Sequence, residues 1–150
     1  SGLLEEHHFK VLVTKRVAAA RRQLQPISIV MFQIDGLDGA AASTCAKAVN
    51  TLGEVVTTTL RESDAACRIG TTMAAAILED TAEAGAVWAA ERIRGTLHQY
   101  DFDGSLTVSA GIACYPTHAL SAPELMERAG RALDSALAQG RDRLAAGCFD

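Results

Sequence analysis

Between two helical stretches lies the run Ala65-Ala66-Cys67-Arg68-Ile69-Gly70-Thr71-Thr72-Met73-Ala74-Ala75-Ala76-Ile77-Leu78, and it restricts the fold more sharply than any other segment. Ala65 to Ile69 and Met73 to Leu78 predict two short strands, with Gly70-Thr71-Thr72 as the turn of a hairpin. An antiparallel hairpin amid alternating helices and strands rules out a simple doubly wound parallel sheet. Upstream, Arg61-Glu62-Ser63-Asp64 reads as the end of the preceding helix, with a basic and an acidic side chain three residues apart.

The remaining segments fit around this hairpin. Leu3 to Leu24 mixes Phe9, Val11, Leu12, Val13 and Val17 with Lys10, Lys15, Arg16, Arg21 and Arg22, the pattern of an amphipathic helix that Pro26 stops. Ile27 to Ile34 is an almost unbroken apolar run, as expected of a central strand covered on both faces. Asp35-Gly36-Leu37-Asp38-Gly39 is loop chemistry whose acids are expected in water. A helix follows from Ala41 to Glu62, another from Thr81 to His98, and a strand from Leu106 to Cys114. Ser121-Ala122-Pro123-Glu124 carries capping signals for a fourth helix that Gly140 ends, and a short strand is expected around Arg143 to Cys148. The order α-β-α-β-β-α-β-α-β predicts an α/β three-layer sandwich, a mixed central sheet with helices on both faces.

Composition narrows the functional classes. A chain of 150 residues with no internal linker is most simply one domain. Its apolar share of 49% comes largely from alanine, which favours close-packed helices. With 18 acidic against 14 basic side chains, the net charge of −4 argues against a nucleic-acid surface. Cys45, Cys67, Cys114 and Cys148 form no Cys-x-x-Cys pair, so zinc is not expected. Reduced, buried thiols are expected instead, which points to a cytoplasmic setting. His7-His8 reads as a solvated helix end and Trp88 as a packing residue. Ser109 and Ser121 lack a His-Asp arrangement for nucleophilic catalysis. No apolar run reaches membrane-span length, so no direct membrane contact is expected of this segment. The abrupt start at Ser1-Gly2 reads as a fragment of a larger protein, whose other parts could be membrane-attached.

Taken in order, a set of short motifs resembles the GGDEF domain of diguanylate cyclases over nearly the whole chain. They are Gly2-Leu3 ahead of Phe9; Gln33-Ile34-Asp35; Arg61-Glu62-Ser63-Asp64; and Arg68-Ile69-Gly70. Ala90 to Arg94, Val108 to Ala113, Leu125 to Ala129, Arg131-Ala132-Leu133 and Ala138 to Arg143 follow in the family's sequence. Active members of that family join two GTP molecules into cyclic di-GMP with divalent metal held by carboxylates. The resemblance puts the first of those carboxylates at Gln33 and the second at Thr72, with Met73 at the Glu that follows. Gln and Thr bring no anionic charge, and a thioether is a poor ligand for a hard ion. Leu137 falls at the family's phosphate-contacting Lys and Asp134 at a nearby Tyr. Glu5-Glu6 stand where Asn-Arg is usual, and a shortened segment between Asp35 and Ala46 drops the Asn that reads guanine. Asp35 remains beside the lost metal position. The resemblance therefore implies a pseudo-enzyme, with no catalytic or metal-binding residue assigned and no cofactor.

In the same family, Arg-x-x-Asp five residues before the signature turn forms an allosteric site for cyclic di-GMP. Here Arg61 and Asp64 keep that spacing, and Arg92 corresponds to a further arginine on the next helix. Guanidinium can fork onto guanine O6 and N7 or onto phosphate, and a carboxylate can accept from guanine N1–H and its amino group. The plainer alternative is a helix-end charge pair that favours the helix dipole. The leading expectation is a catalytically inactive cyclic di-GMP receptor acting through Arg61, Asp64 and Arg92. A ligand-independent interaction or dimerisation domain is the alternative, and a weak cyclase or GTP-sensing module using Asp35 the third. Expected partners are cyclic di-GMP, an unidentified protein or other domains of the same chain, and a second copy in a homodimer.

Overall fold

A computed structural model describes residues 3–99 and 106–147. The elements are α1 (Glu6–Gln23), β1 (Ile27–Asp35), α2 (Ala42–Thr59), β2 (Ala65–Ile69), β3 (Met73–Glu79), α3 (Glu83–Leu97), β4 (Thr107–Tyr115), α4 (Ala122–Ala138) and β5 (Leu144–Ala146). The five strands form one sheet in the order β2-β3-β1-β4-β5. β1 lies antiparallel to both β3 and β4, while β5 adds parallel to β4, so the sheet is mixed as expected.

Alternation along β1 builds both layers. Val30, Phe32 and Ile34 face one core with Val49, Leu52 and Val56 of α2 and Ala86, Ala90, Ile93 and Leu97 of α3. Ile27, Ile29 and Met31 face the other, with Phe9, Val13 and Val17 of α1 and Leu125, Ala129 and Leu133 of α4. Because side chains alternate across a strand, only a continuous apolar run can satisfy two cores at once. Alanine at 74, 75 and 76 in β3 keeps both helical layers close to the sheet. Cys45, Cys67 and Cys114 are buried free thiols, and burial pushes Cys67 up to about 12. Cys148 lies outside the described residues.

The starts of α1 and α3 and the end of α2 differ from the sequence expectation by two or three residues. Leu3 to Glu5 precede α1 as extended chain, because Leu4 bridges Cys67: its N–H donates to the Ala66 carbonyl (2.8 Å) and its carbonyl accepts from Arg68 N–H (3.2 Å). α2 stops at Thr59 rather than Glu62. Thr57, Thr58 and Thr59 hydroxyls donate back to helix carbonyls, and Leu60 turns extended at ψ 156°. Such back-bonding threonines weaken a helix end. α3 begins at Glu83 because Thr81 is held in the preceding loop, its N–H donating to the Pro26 carbonyl (3.2 Å). The expected cap of α4 is present, with Glu124 N–H donating to the Ser121 hydroxyl at 3.3 Å.

α4 passes directly over the backbone of β4 at Gly111. A Cβ there would sit 2.2 Å from the Leu133 nitrogen and 2.3 Å from the Ala129 carbonyl oxygen of α4. Backbone cannot give way as a flexible side chain would. Gly111→Ala is expected to cost at least about 1–3 kcal/mol, the usual penalty for overpacking. Urea unfolding should show a lower midpoint at unchanged slope.

Candidate functional site

Arg61 and Asp64 do not end a helix; they form a turn between α2 and β2. Asp64 N–H donates to the Arg61 carbonyl (3.0 Å), and the Arg61 N–H donates back to Asp64 Oδ2 (3.0 Å). The other carboxylate oxygen, Oδ1, accepts from Glu79 N–H at 3.0 Å, which ties the turn to the end of β3. The Asp64 side chain is only 3% exposed, whereas that of Arg61 is 58% exposed. Asp64 therefore anchors the turn and Arg61 is the group it presents. The Arg61 guanidinium donates to the Thr81 hydroxyl (2.9 Å) and the Glu79 carbonyl, and its Nε stands 3.5 Å from Asp64 Oδ2. Arg61 lies one residue past the C-cap of α2, and its guanidinium hydrogen-bonds to Glu79 and Thr81 rather than to the last carbonyls of that helix.

These groups line a cleft of about 360 Å³ between the 59–64 segment and α3. That volume sits at the lower end of the ~300–1,000 Å³ usual for small-molecule sites. Ala82, Gly85, Trp88 and Ala89 supply the helical wall, and Asp80 and Thr81 the base. Arg92 does not line the cleft itself. It lies on the same helix with its guanidinium 5.4 Å from the Trp88 ring centroid, a cation–π contact. The structure thus brings Arg61 and Asp64 together directly and Arg92 one step out, through Trp88.

Trp88 is the residue that sequence reasoning misplaced. It is 62% exposed, so it is not a packing residue. The buried side of α3 is Ala86, Ala90, Ile93 and Leu97, and Trp88 falls outside that period. That mismatch was the available signal.

At the opposite end of β1 lie the positions where the resemblance expects metal-binding carboxylates. Gln33 Nε2 donates to the Thr72 hydroxyl (2.9 Å) and to the Ile34 carbonyl (3.0 Å). Met73 and Leu137 pack against the α1/α4 core. Asp38 is exposed as expected. Asp35 is not: it is the last residue of β1 and 5% exposed. Its carboxylate accepts from the Thr107 hydroxyl (2.7 Å), the Ser109 hydroxyl (2.9 Å), Asp142 N–H (3.1 Å) and Arg141 Nη1 (3.3 Å). A carboxylate so enclosed is satisfied by protein donors, which is why it survives burial. His7 and His8 are exposed on α1, as expected.

Asp142 extends this network to α3. Arg94 Nη1 donates to its Oδ1 at 2.8 Å, and His98 Nε2 lies 3.0 Å from the same oxygen. Burial alone would raise the Asp142 carboxyl, but the hydrogen bonds from His98 and Arg94 together hold it below its ordinary value. Hydrogen bonding to Glu91 and then to Asp142 raises Arg94.

The comparisons agree with this architecture. The family model "Diguanylate cyclase, GGDEF domain" matches residues 1–143, and the chain belongs to the GGDEF family. A curated relative, diguanylate cyclase A of Treponema denticola, is 26% identical across 93% of this chain. The chain spans only 41% of that relative's length. The active GGEEF domain of a diguanylate cyclase from Vibrio cholerae superposes with a TM-score of 0.90 at 20% identity, covering 99% of each chain. The GGDEF domain of DgcB from Caulobacter crescentus, solved with cyclic di-GMP, gives 0.88 at 23% identity, covering 96% of this chain and 91% of that one. The FimX GGDEF domain of Pseudomonas aeruginosa gives 0.84 at 21% identity, covering 95% and 93%. At such identities the structural likenesses establish the fold. Among the described residues, no helix is long and apolar enough to cross a membrane.

Two stability outcomes follow from these networks. Asp64→Asn keeps one acceptor oxygen and turns the other into an NH2 donor facing a backbone N–H, that of Arg61 or of Glu79. It is expected to cost about 1–3 kcal/mol, the penalty for an unsatisfied buried group, as measured by urea unfolding. For Asp142, the folded carboxyl lies below the ordinary value of 3.8, so its contribution is complete above that pH and fades as pH falls through the lowered value. The stability gap between wild type and Asp142→Asn should therefore be widest at neutral pH and shrink below about pH 4 in thermal melts.

Proposed function

We propose that this chain is a catalytically silent GGDEF domain that serves as a receptor for cyclic di-GMP through Arg61, Asp64 and Arg92. The observation that carries the reading is the pairing of an occupied dead end with an open cleft. Where metal-binding carboxylates are expected, the Gln33 amide donates to the Thr72 hydroxyl and the Ile34 carbonyl, and neither side chain brings the anionic charge a cation needs. Met73 and Leu137 are absorbed into apolar packing, which leaves no cationic phosphate contact at Leu137. Asp35 is spent on four protein donors, which weighs against a residual metal site.

At the other site, Arg61 spends Nη2 on Thr81 and Glu79 and keeps the N–H groups of Nη1 for a guanine edge or a phosphate; a two-nitrogen fork requires exchanging one of the Nη2 bonds for the ligand. Asp64 fixes its position and reaches a ligand only at its edge. The GGDEF domain of DgcB, of the same fold, was solved with cyclic di-GMP, which supports the ligand class. Another structure of the same fold, diguanylate cyclase SiaD of Pseudomonas aeruginosa, was solved in complex with its activator SiaC. A protein partner that responds to the loaded domain fits a receptor without chemistry of its own.

Two measurements test this. With GTP and magnesium or manganese, no cyclic di-GMP is expected at any practical protein concentration; product rising linearly with time and protein overturns the silent-site reading. In calorimetry, cyclic di-GMP should bind, and Arg61→Ala should weaken it by about 1–3 kcal/mol, the worth of a good bidentate contact. Arg131→Ala, on the exposed face of α4, should change nothing. No heat of binding at ~100 μM, a weak affinity on the usual scale, would favour the ligand-independent interaction domain.

A further inference from the structure

The face of α3 turned to the cleft carries Gly85, Trp88 and Ala89, and Arg92 lies over the Trp88 ring, at the i, i+3, i+4, i+7 spacing of one helical stripe. Three features of this stripe are unusual together. Trp88 is left 62% exposed, although an indole is among the most rewarding side chains to bury. The Arg92 guanidinium lies over its ring, 5.4 Å from the centroid, while Trp88 itself lines the cleft. Beside it, Gly85 and Ala89 put no bulk into the cleft, and a Cβ at Gly85 would come within 2.9 Å of the Thr81 methyl.

The charge of the cleft adds a second argument. Among the described residues, Arg61 is its one lining cation, against two carboxylates, Asp64 and Asp80. Such a site is poorly suited to hold phosphate by charge alone. It suits a flat ring with both donors and acceptors on its edge. An aromatic platform next to mixed polar groups is what nucleobase binding requires, since every base has a π-face.

We propose that Trp88, backed by Arg92, is the stacking platform of this cleft, and that the site holds its ligand by a purine ring rather than by phosphate charge. This rests on the receptor reading above and assigns Arg92 a role through Trp88 instead of direct phosphate pairing. Arg61 then reads the ring edge while the indole covers its face. The stacked arrangement also removes the exposed indole surface from water, which an empty cleft does not.

Trp88 is the only tryptophan among 150 residues, so its emission reports this site alone. Cyclic di-GMP is titrated by calorimetry and, in parallel, by tryptophan emission. The expected result is saturable quenching that follows the calorimetric isotherm. Trp88→Phe should bind within about threefold of wild type, and Trp88→Ala about 5- to 150-fold more weakly, the range for losing one stacked base. Inorganic pyrophosphate, which has charge and no base, should leave emission unchanged. Calorimetric binding with unaltered emission, or wild-type affinity in Trp88→Ala, overturns the stacking role and leaves the receptor reading standing. Quenching by pyrophosphate equal to that by cyclic di-GMP overturns it as well. Absence of calorimetric binding in wild type overturns both. Trp88 is exposed, so both variants should keep the wild-type far-UV circular dichroism, which makes affinity changes attributable to the cleft.

Discussion

Strand β1 has sheet neighbours on both sides and helices above and below, so almost none of its length touches water. Its backbone groups pair with β3 and β4, and its side chains alternate between two separate cores. Both helical layers exist because this strand gives each a surface to cover. The strand also fixes what stands at its end: Gln33 emerges beside the β2–β3 turn, and Asp35 beside the start of β4 and the loop after α4. Those two positions inherit their geometry from the burial of everything before them.

The buried Asp35 carboxylate shows how a charge is tolerated there. Removing a carboxylate from water costs several kcal/mol unless donors replace the solvent. Two hydroxyls, a backbone N–H and a guanidinium do so here. In return the loop carrying Arg141 and Asp142 is held with both residues at positive φ, 64° and 51°. Non-glycine residues there cost on the order of 1–3 kcal/mol each and need surrounding structure to hold them. The acceptor at the end of β1 supplies that hold, and Asp142 carries it onward to Arg94 of α3 and to His98 just past its end.

The architecture was legible because it depends on periodicity. The unbroken apolar run of β1, the hairpin around Gly70 and the Ser121 cap each state their structure locally, and the order of elements leaves little choice of layers. The environments of single polar residues were not legible. Asp35 resembles a solvated loop acid until Thr107, Ser109 and Arg141 are brought to it from 72 to 106 residues away. Arg61 and Asp64 look like a helix end because the threonine back-bonding that releases Leu60 outweighs an otherwise helical pattern. Trp88 needed its partners in α3 and the 59–64 segment before its exposure had meaning. Long-range partners decide such cases, and spacing does not encode them.

The short extended stretch at Leu4 bears on how copies of the domain can meet. β2 is the outer strand of the sheet, and an outer strand with bare backbone groups invites another chain to add to it. Leu4 already occupies the groups of Ala66 and Arg68 on that side. A second copy could therefore not extend the sheet across β2 without first peeling this stretch away. Self-association at that margin is disfavoured in the native state, which leaves the helical faces and the opposite margin at β5 as the surfaces where copies can meet.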